Sequence, residues 1–306
     1  MVQSEEIWRL MVLGVIFAVI VSVLFAVYAV PRKFSRQNTV LYTMWIGVAY
    51  LAGSVIFCSV VWGLGLREQE DMLNRWHLLS VLRGVIWVCG IASFNVAIDK
   101  IGLARFNQWK NFQGPIGTLL MLAFLDDVAG KKLVWLLLGM TAMFISAVLF
   151  TIKTGEDNKR SDAAGIRFAL FAAACFGVTA FINAIVTKHG FIYSQLLYHS
   201  LSVVVSAAII FIIQTRKPME IFRFSRENWL PAMSGAMFLT ATILSILSYT
   251  MITRSVSWSI VQLNAVWTIL IGIFIFREIS LREHLLRIIA GFAFAITAIV
   301  LLLFAL

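Results

Sequence analysis

The chain has 306 residues, 61% of them hydrophobic and 13% charged, with a mean hydropathy of +0.92. That composition excludes a soluble globular domain, which needs far more polar surface, and equally a disordered or collagen-like chain. The net charge of +10 is spread over short basic clusters between apolar runs, such as Arg32-Lys33, Lys159-Arg160 and Arg216-Lys217. It therefore reads as topology charge beside a membrane, not as a nucleic-acid surface.

In chain order the apolar runs predict ten transmembrane helices, because each run approaches the roughly 20 residues that one crossing needs. The expected segments are 8–30, 38–64, 78–98, 103–125 and 133–152, then 166–187, 192–214, 229–253, 255–276 and 284–306. Barrel strands are excluded as the spanning unit, since they are about ten residues long and alternate in character. The start is acidic (Glu5, Glu6) and no small-residue cleavage site follows the first run, so segment 1 is expected to stay in the mature protein. Cys58, Cys89 and Cys175 lie inside apolar runs without metal-ligand spacing. They read as packing thiols, and neither a metal nor another cofactor is expected.

The polar stretch KTGEDNKRSDAAG (153–165) separates five segments from five. The expected organisation is a first five-helix repeat over 1–154, a loop over 155–165 and a second repeat over 166–306. Two segments align when shifted by 151 positions, KNFQGPIGTLLMLAFLDD (110–127) on VQLNAVWTILIGIFIFRE (261–278). Asn111 and Gln113 then lie opposite Gln262 and Asn264. An odd number of helices per half inverts the second half, and inverted repeats with a site at their interface are the design of many secondary transporters. The fold class expected is an all-α membrane protein of two inverted five-helix repeats. Basic residues are denser in the loops holding Arg32, Lys33, Lys153, Lys159, Arg160, Arg216 and Arg226, which predicts both termini outside the cytoplasm.

Polar side chains inside a span lose several kcal/mol unless they face protein, water or solute. Asn107, Lys110, Asn111, Gly114 and Thr118 follow helical spacing and predict one inward face on segment 4. Gly114-Pro115 predicts a kink there, since proline removes a backbone donor. Lys110 has two readings, a ligand or charge gate in a cavity and a stem that snorkels to the headgroups. On segment 9, Gln262 and Asn264 read as cavity-lining amides, flanked by Trp258, whose indole face suits a sugar ring or a cation. Tyr198 and His199 open segment 7 as a polar mouth, where His199 is either a titrating group or an interfacial histidine bonded to a carbonyl. Asn95 and Asn183 are single amides that either line a cavity or cross-link neighbouring helices.

The runs KIGLARFNQWKNFQGPIGTLLMLAFLDD (100–127) and GIFIFRE (272–278), with TKHG (187–190) at the end of segment 6, resemble the drug/metabolite transporter superfamily. Within it they are most similar to the glucose/ribose uptake and rhamnose transporter branch. The resemblance implies helices from both halves around a central cavity open alternately to each side, in the cell (inner) membrane. Asp126-Asp127 and Arg277-Glu278 match the charged exit that commonly follows this helix in the superfamily. The expected function is a secondary transporter of a small polar solute, a sugar or polyol first, and the alternative is an exporter of amino acids or related metabolites. The expected partners are the solute and the lipid bilayer, with a coupling ion and the oligomeric state left open and no nucleic acid. No nucleophile–base pair or His/Asp/Glu cluster points to an enzyme.

Overall fold

In a computed structural model of the chain, the described residues are 2–28, 30–66, 70–101, 109–125, 128, 130–149, 163–216, 218–222, 225–275 and 281–306. Every regular element among them is helical: α1 (Val2–Val27), α2 (Thr39–Gly63), α3 (His77–Ile101), α4 (Gln113–Phe124), α5 (Gly130–Leu149), α6 (Ala163–Lys188), α7 (Ser194–Thr215), α8 (Trp229–Met251), α9 (Arg254–Val261), α10 (Asn264–Phe274) and α11 (Leu281–Leu303), with short 3-10 turns between some of them. Counting α9 and α10 as one span, nine of these among the described residues are long and apolar enough to cross a membrane, and α4 is a shorter apolar helix. The protein is an all-α, multi-pass membrane protein.

Local chemistry sets the helix ends. The Asn38 side chain accepts from the Val40 and Leu41 amides at 2.9 and 3.4 Å, occupying donors that the first turn of α2 cannot use internally. At the start of α7 the cap comes from far away in sequence. The Glu70 carboxylate accepts from the Ile192, Tyr193 and Ser194 amides at 2.9, 3.0 and 2.8 Å, where a negative charge also suits the helix dipole.

Two spans are interrupted, one just before the predicted kink at Gly114-Pro115 and one where the sequence predicted a continuous helix. The chain is helical at Trp109–Lys110, turns at Asn111–Phe112 and resumes as α4. Pro115 has no N–H to return to the Asn111 carbonyl, which instead accepts from Gly114 at 3.3 Å in a tighter turn. Between α9 and α10 the chain turns at Gln262–Leu263, with bonds from Gln262 to Ser259 (3.2 Å) and from Leu263 to Ile260 (3.0 Å). There the Asn264 side-chain amide takes the Val261 carbonyl at 3.0 Å, so a side chain competes with the backbone ladder.

The main helix pairings are α1 with α8, α9 and α10; α2 with α7 and α8; α3 with α6 and α7; α4 with α6 and α9; and α5 with α11. The outer faces carry exposed Ile16, Ile20, Ile56, Leu119, Phe124, Ile213, Leu286 and Ile289, as a lipid-facing surface requires. Several buried hydroxyls are satisfied locally, as where Ser54, Ser200 and Thr242 bond to carbonyls of their own helices at 2.7–2.8 Å.

Candidate functional site

Helices of both halves meet at a cavity of about 80 Å³, which has room for a few water-sized groups. The first half supplies Phe25 and Tyr28 from the α1 end, Arg83 and Trp87 from α3, and Lys110 and Gln113 beside the α4 turn. The second half supplies Phe176, Thr179, Ala180 and Asn183 from α6, Phe238, Thr242, Ser245 and Tyr249 from α8, Trp258 from α9 and Asn264 from α10. Aromatic faces with a few converging polar groups are the usual composition of a small-solute site.

Arg83 is the residue that sequence reasoning missed. It does not stand out in the sequence, yet it is 6% exposed and lines the cavity. One guanidinium nitrogen donates to the Asn183 side-chain oxygen at 2.9 Å, while Nε is buried without a partner. An arginine taken out of water without a carboxylate costs several kcal/mol. The available signal was depth, because Arg83 sits nearly two turns inside an apolar helix that begins at His77. Asn183, an amide with two open readings, both lines the cavity and bridges α6 to α3.

The predicted segment 4 face divides in two. Lys110 reaches the central cavity, whereas Asn111, Gly114, Pro115 and Thr118 lie with Ser259 and Gln262 around a separate space of about 10 Å³ against α5. Lys110 and Gln113 fall in one sector and Asn111, Gly114, Pro115 and Thr118 in the next at helical spacing, so one broad polar face meets two neighbours. Asn111 donates to the Ala147 carbonyl at 3.2 Å, and Asn107 lies outside the described residues. Pro115 is the third residue of α4, in the first turn, where its missing N–H costs least.

Close approach of backbones makes the α4–α9 contact. A Cβ at Gly114 would lie 2.8 Å from Gln262 Cγ, and one at Gly117 would collide with the Trp258 indole. Across the same contact Thr118 and Ser259 share a 3.0 Å hydrogen bond, Gln113 Nε2 donates to Gln262 Oε1 at 3.4 Å, and the Trp258 indole N–H donates to the Gln113 carbonyl at 3.4 Å. Trp258 and Asn264 therefore stand on the cavity wall, and Gln262 stands behind it.

Tyr198 and His199 are not among the cavity-lining residues. The Tyr198 hydroxyl donates to the Met72 carbonyl and its ring stacks on His77 at 4.4 Å, tying α7 to the chain before α3. His199 is fully buried, with Nδ1 3.1 Å from the Tyr50 hydroxyl and Nε2 unpartnered. Cys58, Cys89 and Cys175 are free thiols, two of them buried.

The model of the sugar transport protein family matches residues 46–305, most of the chain and all of the helices that build the cavity except α1. The chain belongs to the sugar transport protein family. As a member of this family it is a membrane transporter of sugar-like solutes. No curated protein matches it. Among solved structures 28 chains match; one, described as "Crystal structure of protein", is 12% identical with a TM-score of 0.65, over 92% of this chain and 96% of that one. At that identity the likeness concerns the fold alone.

Proposed function

We propose that this sugar transport family member is a secondary transporter that moves a sugar or polyol by alternating access, with the 80 Å³ cavity as its solute site. The cavity's position carries the reading, because its wall is contributed by both halves of the chain and closes on polar groups deep between apolar helices. The Trp258 indole is the ring-stacking face. Asn264, Gln113 and Asn183 are the amides that would meet hydroxyls, and Lys110 is a cationic wall residue.

Two observations support rocking of two inverted repeats, 1–154 and 166–306. The main helix pairings map onto themselves when each element is exchanged with its counterpart five segments on, with α9 and α10 together as the counterpart of α4. Thus α1–α8 exchanges with α3–α6, α2–α8 with α3–α7, α1–α9 with α4–α6, while α2–α7, α4–α9 and α5–α11 map to themselves. The interruptions also correspond, since α4 begins at Gln113 and α10 at Asn264, 151 positions apart. Such a pair of broken helices is where repeat transporters bind solute.

Uptake of labelled sugars and polyols into proteoliposomes tests the proposal. Saturable uptake by the native protein, lost in Asn264→Leu with folding retained, is the expected result. Absence of flux for every sugar and polyol, with amino acids released from loaded vesicles, would establish the exporter reading instead.

A further inference from the structure

Arg83 and Lys110 both line the cavity, and no carboxylate lines it among the described residues. The Arg9–Glu5 ion pair lies at the exposed start of α1, remote in sequence from the cavity residues. Asn183 uses one nitrogen of the Arg83 guanidinium and brings no charge. Nε stays buried without a partner, although a buried N–H is almost always paired. A buried cation in a low-dielectric site is stable when a counter-charge completes it, and a planar guanidinium edge matches a carboxylate through two parallel hydrogen bonds.

We propose that the transported solute is an anionic sugar, a sugar acid whose carboxylate is held by Arg83 and Lys110 while its ring lies against Trp258. The inference rests on the cavity being the solute site. Asn183 then holds one guanidinium nitrogen in place and leaves the rest of the group for the solute. Gln113 and Asn264, which also line the cavity, are left for the hydroxyls. The solute would act as the missing counter-ion, so the empty site is the least favourable state of the cycle and loading relieves it.

The test is counterflow in proteoliposomes, with a hexuronate, an aldonate, a hexose phosphate and a neutral hexose as separate arms. Uptake of the uronate or aldonate in preference to the neutral hexose is expected. Arg83→Gln should lower sugar-acid uptake by about 30-fold or more, as removing one partner of a buried charge contact does. Should Arg83→Gln fail to fold, Lys110→Gln and competition between the four solutes on the native protein decide the matter. Neutral hexose uptake that sugar acids do not inhibit would overturn the charge assignment and leave the transporter reading standing. Preference for the hexose phosphate would overturn the carboxylate. No flux of any arm through folded protein would remove the underlying solute site, and this inference with it.

Discussion

Arg83 and Asn183 meet at 2.9 Å, guanidinium to side-chain oxygen, and so join α3 to α6 in the cavity wall. The contact holds together one of the helix pairs and aims a cation at the cavity, so a change at Asn183 alters stability and solute contact together. Asn183→Ala should lower stability by about 1.5–3 kcal/mol, the worth of a hydrogen bond to a charged group. Asn183→Asp should stay folded but bring its own carboxylate to Arg83 and suppress uptake of any anionic solute. Thermal unfolding in detergent and proteoliposome uptake separate these effects.

The α4–α9 crossing depends on the absence of a side chain at Gly117, where a Cβ would strike the Trp258 indole. Gly117→Ala should displace the indole and destabilise by about 1–3 kcal/mol, as overpacking does. Gly63→Ala, where a Cβ meets nothing within 4 Å, is the matched control and should be near neutral. Melting temperatures of the two purified variants check the difference.

Trp258 closes one side of the cavity with an aromatic face. Trp258→Ala should reduce solute uptake by about tenfold or more, the scale of a lost aromatic contact. Trp258→Phe, which keeps a ring and loses the indole N–H, should retain most uptake. Equal losses in the two variants would assign the importance of Trp258 to its bond with Gln113 instead of to stacking.

The Glu70 carboxylate holds the chain before α3 onto the start of α7, and the Trp76 ring stacked on His189 at 3.6 Å lies beside it in sequence. Glu70→Ala should cost about 1 kcal/mol, as loss of a helix cap does. It should also speed hydrogen exchange at Ile192, Tyr193 and Ser194 selectively. Exchange measured by mass spectrometry on peptides covering 190–196 would detect it.

Much of the fold could be read in the sequence because lipid imposes one rule, that apolar runs of about 20 residues form helices whose polar groups turn inward. The alignment at a shift of 151 positions pairs Gln113 with Asn264, and these residues begin α4 and α10 after corresponding turns. Lys110, Trp258 and Asn264, singled out by polarity alone, share one cavity. Other features were hidden for physical reasons. The polar face of segment 4 is broad enough to meet two neighbours, so Lys110 lines the cavity while Asn111 and Gly114 line the separate space against α5. Arg83 is inconspicuous in the sequence because the Asn183 amide and the cavity that accommodate it come from helices distant in sequence. Tyr198 resembled a mouth residue, yet its partners Met72 and His77 lie on the far side of a hundred-residue gap that no local pattern reports.

The most direct test of a central solute site is side-specific accessibility of a cysteine at Ser245, a cavity-lining position of similar size. The substitution Ser245→Cys would be made with Cys58, Cys89 and Cys175 replaced by alanine, so that one thiol reports. Membrane-impermeant thiol reagents applied to right-side-out and inside-out vesicles should each label it, and saturating transported solute should protect it from both sides. Labelling from neither side, or labelling that solute leaves unchanged, would contradict a cavity that opens alternately and binds what the protein carries.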